Sequence, residues 1–205
     1  LMNGIKNIEL EDIEMADKLN FRIKLLGITE IINGKLFERV HPCLIKKDTY
    51  IANVNGVMNA VILEGKPVGQ SLLQGEGAGP GPTSSALMSD LLSILRGNIK
   101  YPFGLPFKKR KKINTYDKNQ YLNSLYLRFD VKDKPGVLSS ITKVFTKNKI
   151  SIKNLIQKPD KKNKTASIVI LTHEAREKNF NSLIFNLNNN KSVKKKSTFI
   201  RIEKV

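Results

Sequence analysis

The sequence predicts an α+β protein in which a mixed-sheet region is followed by a ferredoxin-like sandwich of two helices on a four-stranded sheet. One observation is the order of hydrophobic patterns after residue 122, which reads β-α-β-β-α-β. A second is Asn33-Gly34 between two apolar runs, a strong signal for an antiparallel hairpin. With 205 residues and 40% hydrophobic content, the chain can form one or two compact domains.

The first region opens with a predicted helix and a predicted hairpin. Apolar residues recur at helical spacing between Ile8 and Leu19. Acidic residues crowd the first turn, where the helix dipole favours them, and we interpret them as a solvated face rather than a catalytic cluster: Glu9, Glu11, Asp12 and Glu14. The hairpin strands are predicted over residues 21–32 and 36–40.

A second pair of apolar runs, over residues 57–63 and 68–73, precedes a glycine-rich loop between Gly75 and Pro82. A helix is predicted over residues 83–97, because hydroxyl side chains can cap its start and Arg96-Gly97 marks its end. Four residues share one apolar face of this helix: Leu87, Leu91, Ile94 and Leu95.

The C-terminal region is more regular. Apolar residues alternate strictly from Leu125 to Val131, as on a half-buried strand, and Asp133-Lys134-Pro135-Gly136 turns the chain into a helix beginning at Val137. A second strand begins at Ile150. The remaining predicted elements are a strand over 166–171, a helix over 180–187 and a strand over 199–202.

Basic residues are concentrated in the second half of the chain. The whole sequence has 36 basic and 18 acidic residues, a net charge of +18, yet residues 1–105 carry equal numbers of each sign. The run Lys108–Lys112 beside Pro106 predicts a linker over residues 105–122, which separates regions 1–104 and 123–205. Such a run also resembles a nucleic-acid contact patch, but no aromatic residues alternate with it, so nucleic acid is not the favoured partner.

The residue inventory excludes several chemistries. No stretch approaches 18 consecutive apolar residues, which argues against a transmembrane helix. The single cysteine, Cys43, fits a reducing, cytoplasmic compartment. His41 and His173 do not form a ligand-spaced cluster, so we expect no metal site. We interpret His41 and Cys43 as a packed thiol beside a histidine.

The absence of an initiator Met predicts that the chain is part of a longer protein.

The alternating glycines of the loop could expose backbone N–H groups to a phosphate at a helix start. A complete dinucleotide fingerprint and a Walker lysine are both absent. On spacing alone, a tight strand-to-helix turn is as good an interpretation as an anion site.

Four ordered phrases resemble homoserine dehydrogenase: Arg22-Ile-Lys-Leu-Leu-Gly-Ile28, Arg39-Val-His-Pro42, Ala52-Asn-Val-Asn-Gly-Val-Met-Asn-Ala-Val61 and Gly75-Glu-Gly-Ala-Gly-Pro-Gly-Pro-Thr-Ser-Ser-Ala86. The region from residue 123 resembles an ACT domain, through Asp133-Lys-Pro-Gly-Val-Leu138 and Ile168-Val-Ile-Leu-Thr-His173. The resemblance implies the C-terminal part of the catalytic and dimerisation region, followed by an ACT regulatory domain.

The resemblance implies NAD(P)-dependent interconversion of L-homoserine and L-aspartate 4-semialdehyde, in threonine, methionine and isoleucine synthesis. It places Gly77, Ala78 and above all Gly79 beside the nicotinamide end of NADP or NAD. The family's Rossmann domain and catalytic lysine have no counterpart in this sequence. We therefore assign no catalytic residue, and we expect this chain alone to be inactive.

The ACT resemblance implies an amino-acid effector, with threonine expected, at the turn after the first strand of that domain. Asp133 would pair with the ammonium group, and N–H groups near Gly136 and Val137 would face the carboxylate. A turn that has lost effector binding is the alternative for these residues. The resemblance also implies a homodimer or homotetramer. The alternative function is a stand-alone amino-acid-binding module without catalysis.

Overall fold

A computed structural model describes residues 1–98, 104–160, 162–194 and 197–205. The chain forms two compact units, one made of residues 1–47 and 114–205 and the other of residues 48–113. These units do not coincide with the regions 1–104, 105–122 and 123–205, which stay a prediction for the division into family domains. Residues 99–103, at the end of the predicted first region, lie outside the described residues.

The first unit begins with helix α1 (Leu10–Lys18), followed by strands β1 (Phe21–Ile32) and β2 (Lys35–Lys46). The two strands are paired antiparallel along their whole length. Asn33 and Gly34 both have positive φ, at 51° and 72°, which is the backbone of a two-residue hairpin turn that matches strand twist. The predicted hairpin is therefore confirmed. Its return strand continues six residues beyond the predicted end at Val40.

The C-terminal part of this unit has the predicted β-α-β-β-α-β order. Its elements are β5 (Leu122–Lys132), α3 (Val137–Lys147), β6 (Ile152–Asp160), β7 (Thr165–Thr172), α4 (Glu177–Asn188) and β9 (Thr198–Ile202), with the two-residue strand β8 (Ala175–Arg176) beside β5. The strands lie in the order β9-β5-β7-β6. The predicted ferredoxin-like sandwich is confirmed.

The core of the sandwich lies between this sheet and its two helices. Alternate residues of β5 face the core and are at most 1% exposed, and they pack against Phe145 of α3 and Phe180 of α4: Leu125, Leu127, Phe129 and Val131. Burial of large apolar side chains on one face of an alternating strand explains why the period-2 pattern identified this element.

Strand β2 extends the sheet of the sandwich. It runs parallel to β9, with Cys43 opposite Arg201 and Leu44 opposite Ile202, so the order becomes β1-β2-β9-β5-β7-β6. Helix α1 covers the face opposite α3 and α4, where Met15 and Ala16 pack with Tyr126 of β5. The first 47 residues are therefore an integral part of the C-terminal unit.

The predicted linker is partly built into the same unit. The N–H of Leu36 donates to the carbonyl of Asn114, and the N–H of Tyr116 donates to the carbonyl of Leu36, both at 2.8 Å. The rings of Tyr116 and Tyr121 pack against Phe37, with centroids 5.6 and 4.8 Å away. Because these backbone and ring contacts fix the chain beside β2, residues 114–121 are not a free connector.

The second unit contains strands β3 (Met58–Gly65) and β4 (Gly69–Glu76), paired antiparallel, and helix α2 (Pro80–Leu95). The four apolar residues predicted to share a helix face are all at least 48% exposed, and Val61, Leu63 and Leu73 of the hairpin are more than half exposed. Within the described residues, none of the helices is long and apolar enough to span a membrane.

Candidate functional site

The glycine-rich loop connects β4 to α2. Gly77 follows the last residue of β4, and Gly79 is the residue immediately before the helix. Gly79 has φ 130° and ψ 157°, a backbone conformation that side-chain-bearing residues rarely adopt. Glycine is therefore required at this position by the turn itself.

Gly77 is required for a different reason, the proximity of Asn59 on β3. A Cβ atom built on Gly77 would lie 1.7 Å from Nδ2 of Asn59, so the amide side chain would have to rotate away. Asn59 Nδ2 donates to the carbonyl of Val57 at 3.4 Å, and the N–H of Gly77 donates to the same carbonyl at 3.2 Å. The absence of a side chain at Gly77 lets Asn59 and the loop share one acceptor.

Helix α2 begins at Pro80, three residues before the predicted start at Thr83. Proline suits the first helical position because its φ is already helical and its missing N–H has no partner there. No side-chain hydroxyl caps this helix, so the predicted cap is wrong, and Ser84 Oγ instead donates to the carbonyl of Pro80 at 2.6 Å. Pro80 and Pro82 also remove two of the backbone donors expected at the helix start.

The remaining backbone donors here are those of Ala78 and Gly79 in the loop and of Gly81 in the first turn of α2. Among the described residues, the N–H groups of Ala78 and Gly79 donate to no backbone carbonyl, and both residues are exposed. An electronegative group of a cofactor could approach these two amides without meeting a side chain at Gly79. The exposed amides of this loop are therefore compatible with the predicted cofactor contact.

The turn between β5 and α3 borders a cavity of about 400 Å³. Its lining includes the buried residues Val131 and Ile168, and also Asp133, which lies between Lys132 and Lys134 in sequence. Gly136 precedes α3 in the left-handed region, with φ 84°. The three residues predicted to bind an effector (Asp133, Gly136 and Val137) all line this cavity.

The backbone donors at this turn differ from the predicted set. The N–H of Val137 donates to the carbonyl of Lys134 at 3.3 Å, within the turn. In the described part of the chain, the N–H groups of Leu138 and Ser139 donate to no backbone carbonyl. The positive end of α3 therefore leaves these two amides, and that of Gly136, without a backbone acceptor among the described residues, which is a geometry that suits an anionic group.

A buried polar network joins β2 to the end of the chain, just beyond β9. Glu203 accepts hydrogen bonds from Arg39 Nε and Nη2, at 3.1 and 3.0 Å, and from the Tyr121 hydroxyl at 3.0 Å. His41 Nε2 lies 3.3 Å from the same carboxylate. Burial raises the pKa of Glu203, but the neighbouring His41 imidazole, hydrogen bonds from Arg39 and Tyr121 and the Arg39 charge outweigh it and hold that pKa at about 2.

Cys43 lies beside His41 on β2 and is fully buried, with Sγ 3.3 Å from His41 Nδ1. The predicted packed thiol is confirmed. Burial and the nearby charge of Glu203 raise the pKa of the Cys43 thiol to about 12, so it is a neutral thiol at physiological pH and a poor nucleophile.

His41, Cys43 and Glu203 bring possible metal ligands within 4.8 Å of one another. Cys43 faces Nδ1 of the imidazole, whereas Glu203 faces Nε2. One ion cannot be bound by both ring nitrogens, and the Arg39 guanidinium already occupies both oxygens of Glu203. This arrangement fits a structural network better than a metal centre.

The acidic first turn of α1 corrects a prediction. Asp12 is fully buried and accepts from Arg128 Nε at 2.6 Å and from the Tyr126 hydroxyl at 3.0 Å. Glu9 and Glu11 contact the same guanidinium. The interpretation as a solvated face is therefore wrong for Asp12, because α1 covers the face of β5 that the alternation assigned to solvent. Glu9 is half-buried, whereas Glu11 and Glu14 are exposed, as predicted.

Sequence reasoning missed the buried arginines Arg39 and Arg128. Arg128 alternates with the core residues of β5, so period 2 alone places it on the outer face. The sequence does show that Arg39 and Arg128 lie in predicted strands. It does not show which acids pair with them, because those acids lie 164 and 116 residues away along the chain.

The fold of the C-terminal sandwich and the cavity at its first turn define an ACT domain, and residues 125–184 match the ACT domain family model. Residues 1–92 match the family model described as homoserine dehydrogenase. Residues 1–92 therefore belong to the homoserine dehydrogenase family, and residues 125–184 belong to the ACT domain family.

Curated relatives and solved structures agree with this assignment. The chain is 36% identical over 203 residues to homoserine dehydrogenase of Helicobacter pylori, covering 99% of this chain and 48% of that protein. It is 37% identical over 209 residues to the Neisseria gonorrhoeae enzyme, covering 98% and 48%. A crystal structure of homoserine dehydrogenase from Thiobacillus denitrificans superposes with a TM-score of 0.85 at 35% identity, covering 98% and 47%. The chain thus spans about half the length of the relatives it matches.

Proposed function

We propose that this chain forms the C-terminal part of an NAD(P)-dependent homoserine dehydrogenase, which interconverts L-homoserine and L-aspartate 4-semialdehyde. The observation that carries this proposal is the match of almost the whole chain to homoserine dehydrogenases, at 36% identity over 203 residues in one case. In this proposal, a dinucleotide-binding domain and the catalytic groups come from polypeptide outside these 205 residues. The step belongs to the synthesis of threonine, methionine and isoleucine, in the cytoplasm.

Within this chain, the loop Gly77-Ala78-Gly79 contacts the nicotinamide end of the cofactor, NADP or NAD. The bound nicotinamide supplies the hydride chemistry. The exposed amides of Ala78 and Gly79 orient the cofactor, and the rigid start of α2 at Pro80 holds those amides in place. The support for this role is that Gly79 could not keep its backbone conformation with a side chain.

The test uses the longest polypeptide encoded by the gene, assayed by NAD(P)H absorbance with L-homoserine. Gly79→Ala should raise the KM for the cofactor by about tenfold. The reason is that the distorted loop would lose about one hydrogen bond to the cofactor, and such a loss weakens binding by about that factor. Gly81→Ala, two residues further on in the first turn of α2 with open space around its Cβ position, should leave that KM unchanged. No turnover by the wild-type polypeptide would refute the proposal, and an equal KM in both variants would refute the loop's role.

For the ACT domain we propose amino-acid feedback, with threonine as the effector. Asp133 binds the ammonium group, and the amides near Gly136 at the start of α3 bind the carboxylate; Val137 lines the site by its side chain. Isothermal titration of the 205-residue chain with L-threonine tests this. Asp133→Asn should abolish the heat, and Asp90→Asn, an exposed acid of α2, should preserve it.

The alternative is an amino-acid-binding module without catalysis. The cavity at the turn between β5 and α3, called the turn cavity below, favours this second candidate, because ligand binding there requires no cofactor. Threonine binding together with no dehydrogenase activity of the longest polypeptide would support the module and exclude the enzyme.

We also propose that the protein forms a homodimer, or a tetramer of two such dimers. The support is the exposed apolar surface of β3, β4 and α2, where Leu63, Leu87 and Leu95 are 54%, 66% and 72% exposed. Sedimentation equilibrium should give a dimer or tetramer. Leu63→Lys should shift the mass towards the monomer, whereas a monomeric wild-type protein would contradict the proposal.

A further inference from the structure

We propose that a second cleft of the ACT domain binds a small ligand carrying two or more phosphate groups. The cleft has a volume of about 580 Å³ and lies where β5 begins, whereas the turn cavity lies where β5 ends. It is bordered by the end of α3, the segment that follows β7 and the first turn of α4. Nothing in the proposed dehydrogenase function uses this cleft.

Four basic side chains line the cleft: Lys147, Lys149, Arg176 and Lys178. Within the described residues, none of the four forms an ion pair with a carboxylate. The one acid of the lining, Glu174, accepts a hydrogen bond from Lys204. The cleft therefore holds a concentrated positive charge that an anion would compensate.

The chemistry of the lining favours phosphate groups on a small molecule. Lysine and arginine are the usual phosphate-binding side chains, and Asn179 and Ser182 add polar groups along the first turns of α4. The volume lies in the range of sites for small ligands, about 300–1,000 Å³. The described lining contains no aromatic ring, so it offers no stacking platform for the bases of a single-stranded nucleic acid.

Lys149 occupies an unusual backbone position. It follows Asn148 at the end of α3 with φ 57°, in the left-handed region where glycine is the favoured residue. Lys149→Gly therefore removes a charge from the cleft and also relieves backbone strain. Lys164 in the β6–β7 turn, with φ 49°, is an exposed lysine in the same conformation that does not line the cleft. Lys164→Gly is thus a control matched in charge and in backbone.

The experiment is isothermal titration of the 205-residue chain with pyrophosphate at low ionic strength. Lys149→Gly should weaken binding by about tenfold, as expected for loss of one charge-assisted hydrogen bond, and Lys178→Gln should weaken it similarly. Lys164→Gly should bind as the wild type does. Both glycine variants should raise Tm, so weaker binding by Lys149→Gly cannot be ascribed to unfolding.

Three further probes, citrate, inorganic phosphate and ADP, define the ligand class. Citrate, a polyvalent carboxylate, should bind more weakly than pyrophosphate, and inorganic phosphate should bind more weakly than either diphosphate-bearing probe, pyrophosphate or ADP. Equal affinity for citrate and pyrophosphate would overturn the assignment to phosphates. No heat with pyrophosphate, or equal weakening by Lys149→Gly and Lys164→Gly, would overturn the site itself.

Discussion

Arg39 holds Glu203 by two hydrogen bonds, from Nε at 3.1 Å and from Nη2 at 3.0 Å, although 164 residues separate them in sequence. Both side chains are almost completely buried, with exposed fractions of 4% for Arg39 and 3% for Glu203. Because Arg39 belongs to β2 and Glu203 follows β9, this pair ties the first 47 residues to the ACT sheet. Removal of one partner leaves an uncompensated buried charge, which costs more than the pair contributes.

Glu203→Gln should remove part of the acid sensitivity of the protein. The pKa of Glu203 is about 2 in the folded state and ordinarily 4.5, so the unfolded state binds the proton more tightly. The resulting stabilisation, about 3 kcal/mol, is present above pH 4.5 and is lost as pH falls towards 2. Urea unfolding across this pH range measures it. A wild-type slope retained in Glu203→Gln, and equal to that of Glu64→Gln, would contradict the prediction.

Asp12→Ala should lower the free energy of unfolding by about 3–5 kcal/mol, because it leaves the Arg128 guanidinium buried without its main partner. Glu14→Ala, two residues along the same helix and exposed, should change it by less than about 0.5 kcal/mol. Chemical denaturation of both variants makes the comparison. Similar losses in the two variants would show that α1 contributes through helix formation alone.

Two phenylalanines of α4 test the position of the ACT core. Phe180 is 1% exposed and Phe185 is 69% exposed. Phe180→Ala should cost about 3–5 kcal/mol through lost burial and an unfilled cavity. Phe185→Ala should cost less than about 1 kcal/mol. Thermal and urea unfolding give both values, and the reverse order would place the core on the other face of the helix.

Gly79→Ala should destabilise the start of α2 by about 1–3 kcal/mol, since alanine is strained at φ 130°. Gly81→Ala should be neutral or stabilising, because that glycine lies within the helix. Hydrogen exchange at the Thr83 amide, which donates to the Gly79 carbonyl at 3.2 Å, reports this turn directly. Unchanged protection in Gly79→Ala would show that the loop tolerates a side chain.

The elements that the sequence predicts well are those with local signals. The turn at Asn33-Gly34 needs positive φ at two residues, and the alternation from Leu125 to Val131 follows from one buried face, so neighbours in sequence suffice to recognise both. The two glycines predicted to contact the cofactor and the effector, Gly79 and Gly136, both have a backbone that requires glycine. Their ligands stay predictions from the family resemblance.

The amino-acid sequence by itself determined the element types, the order of the ACT domain and the resemblance to homoserine dehydrogenase, because these depend on residue spacing along the chain. Only the tertiary structure decided that β2 lies beside β9 and that α1 covers the outer face of β5. Parallel pairing of β2 with β9 and the Asp12–Arg128 contact join distant segments. Period 2 distinguishes the two faces of a strand but does not reveal whether water or another helix covers the second one.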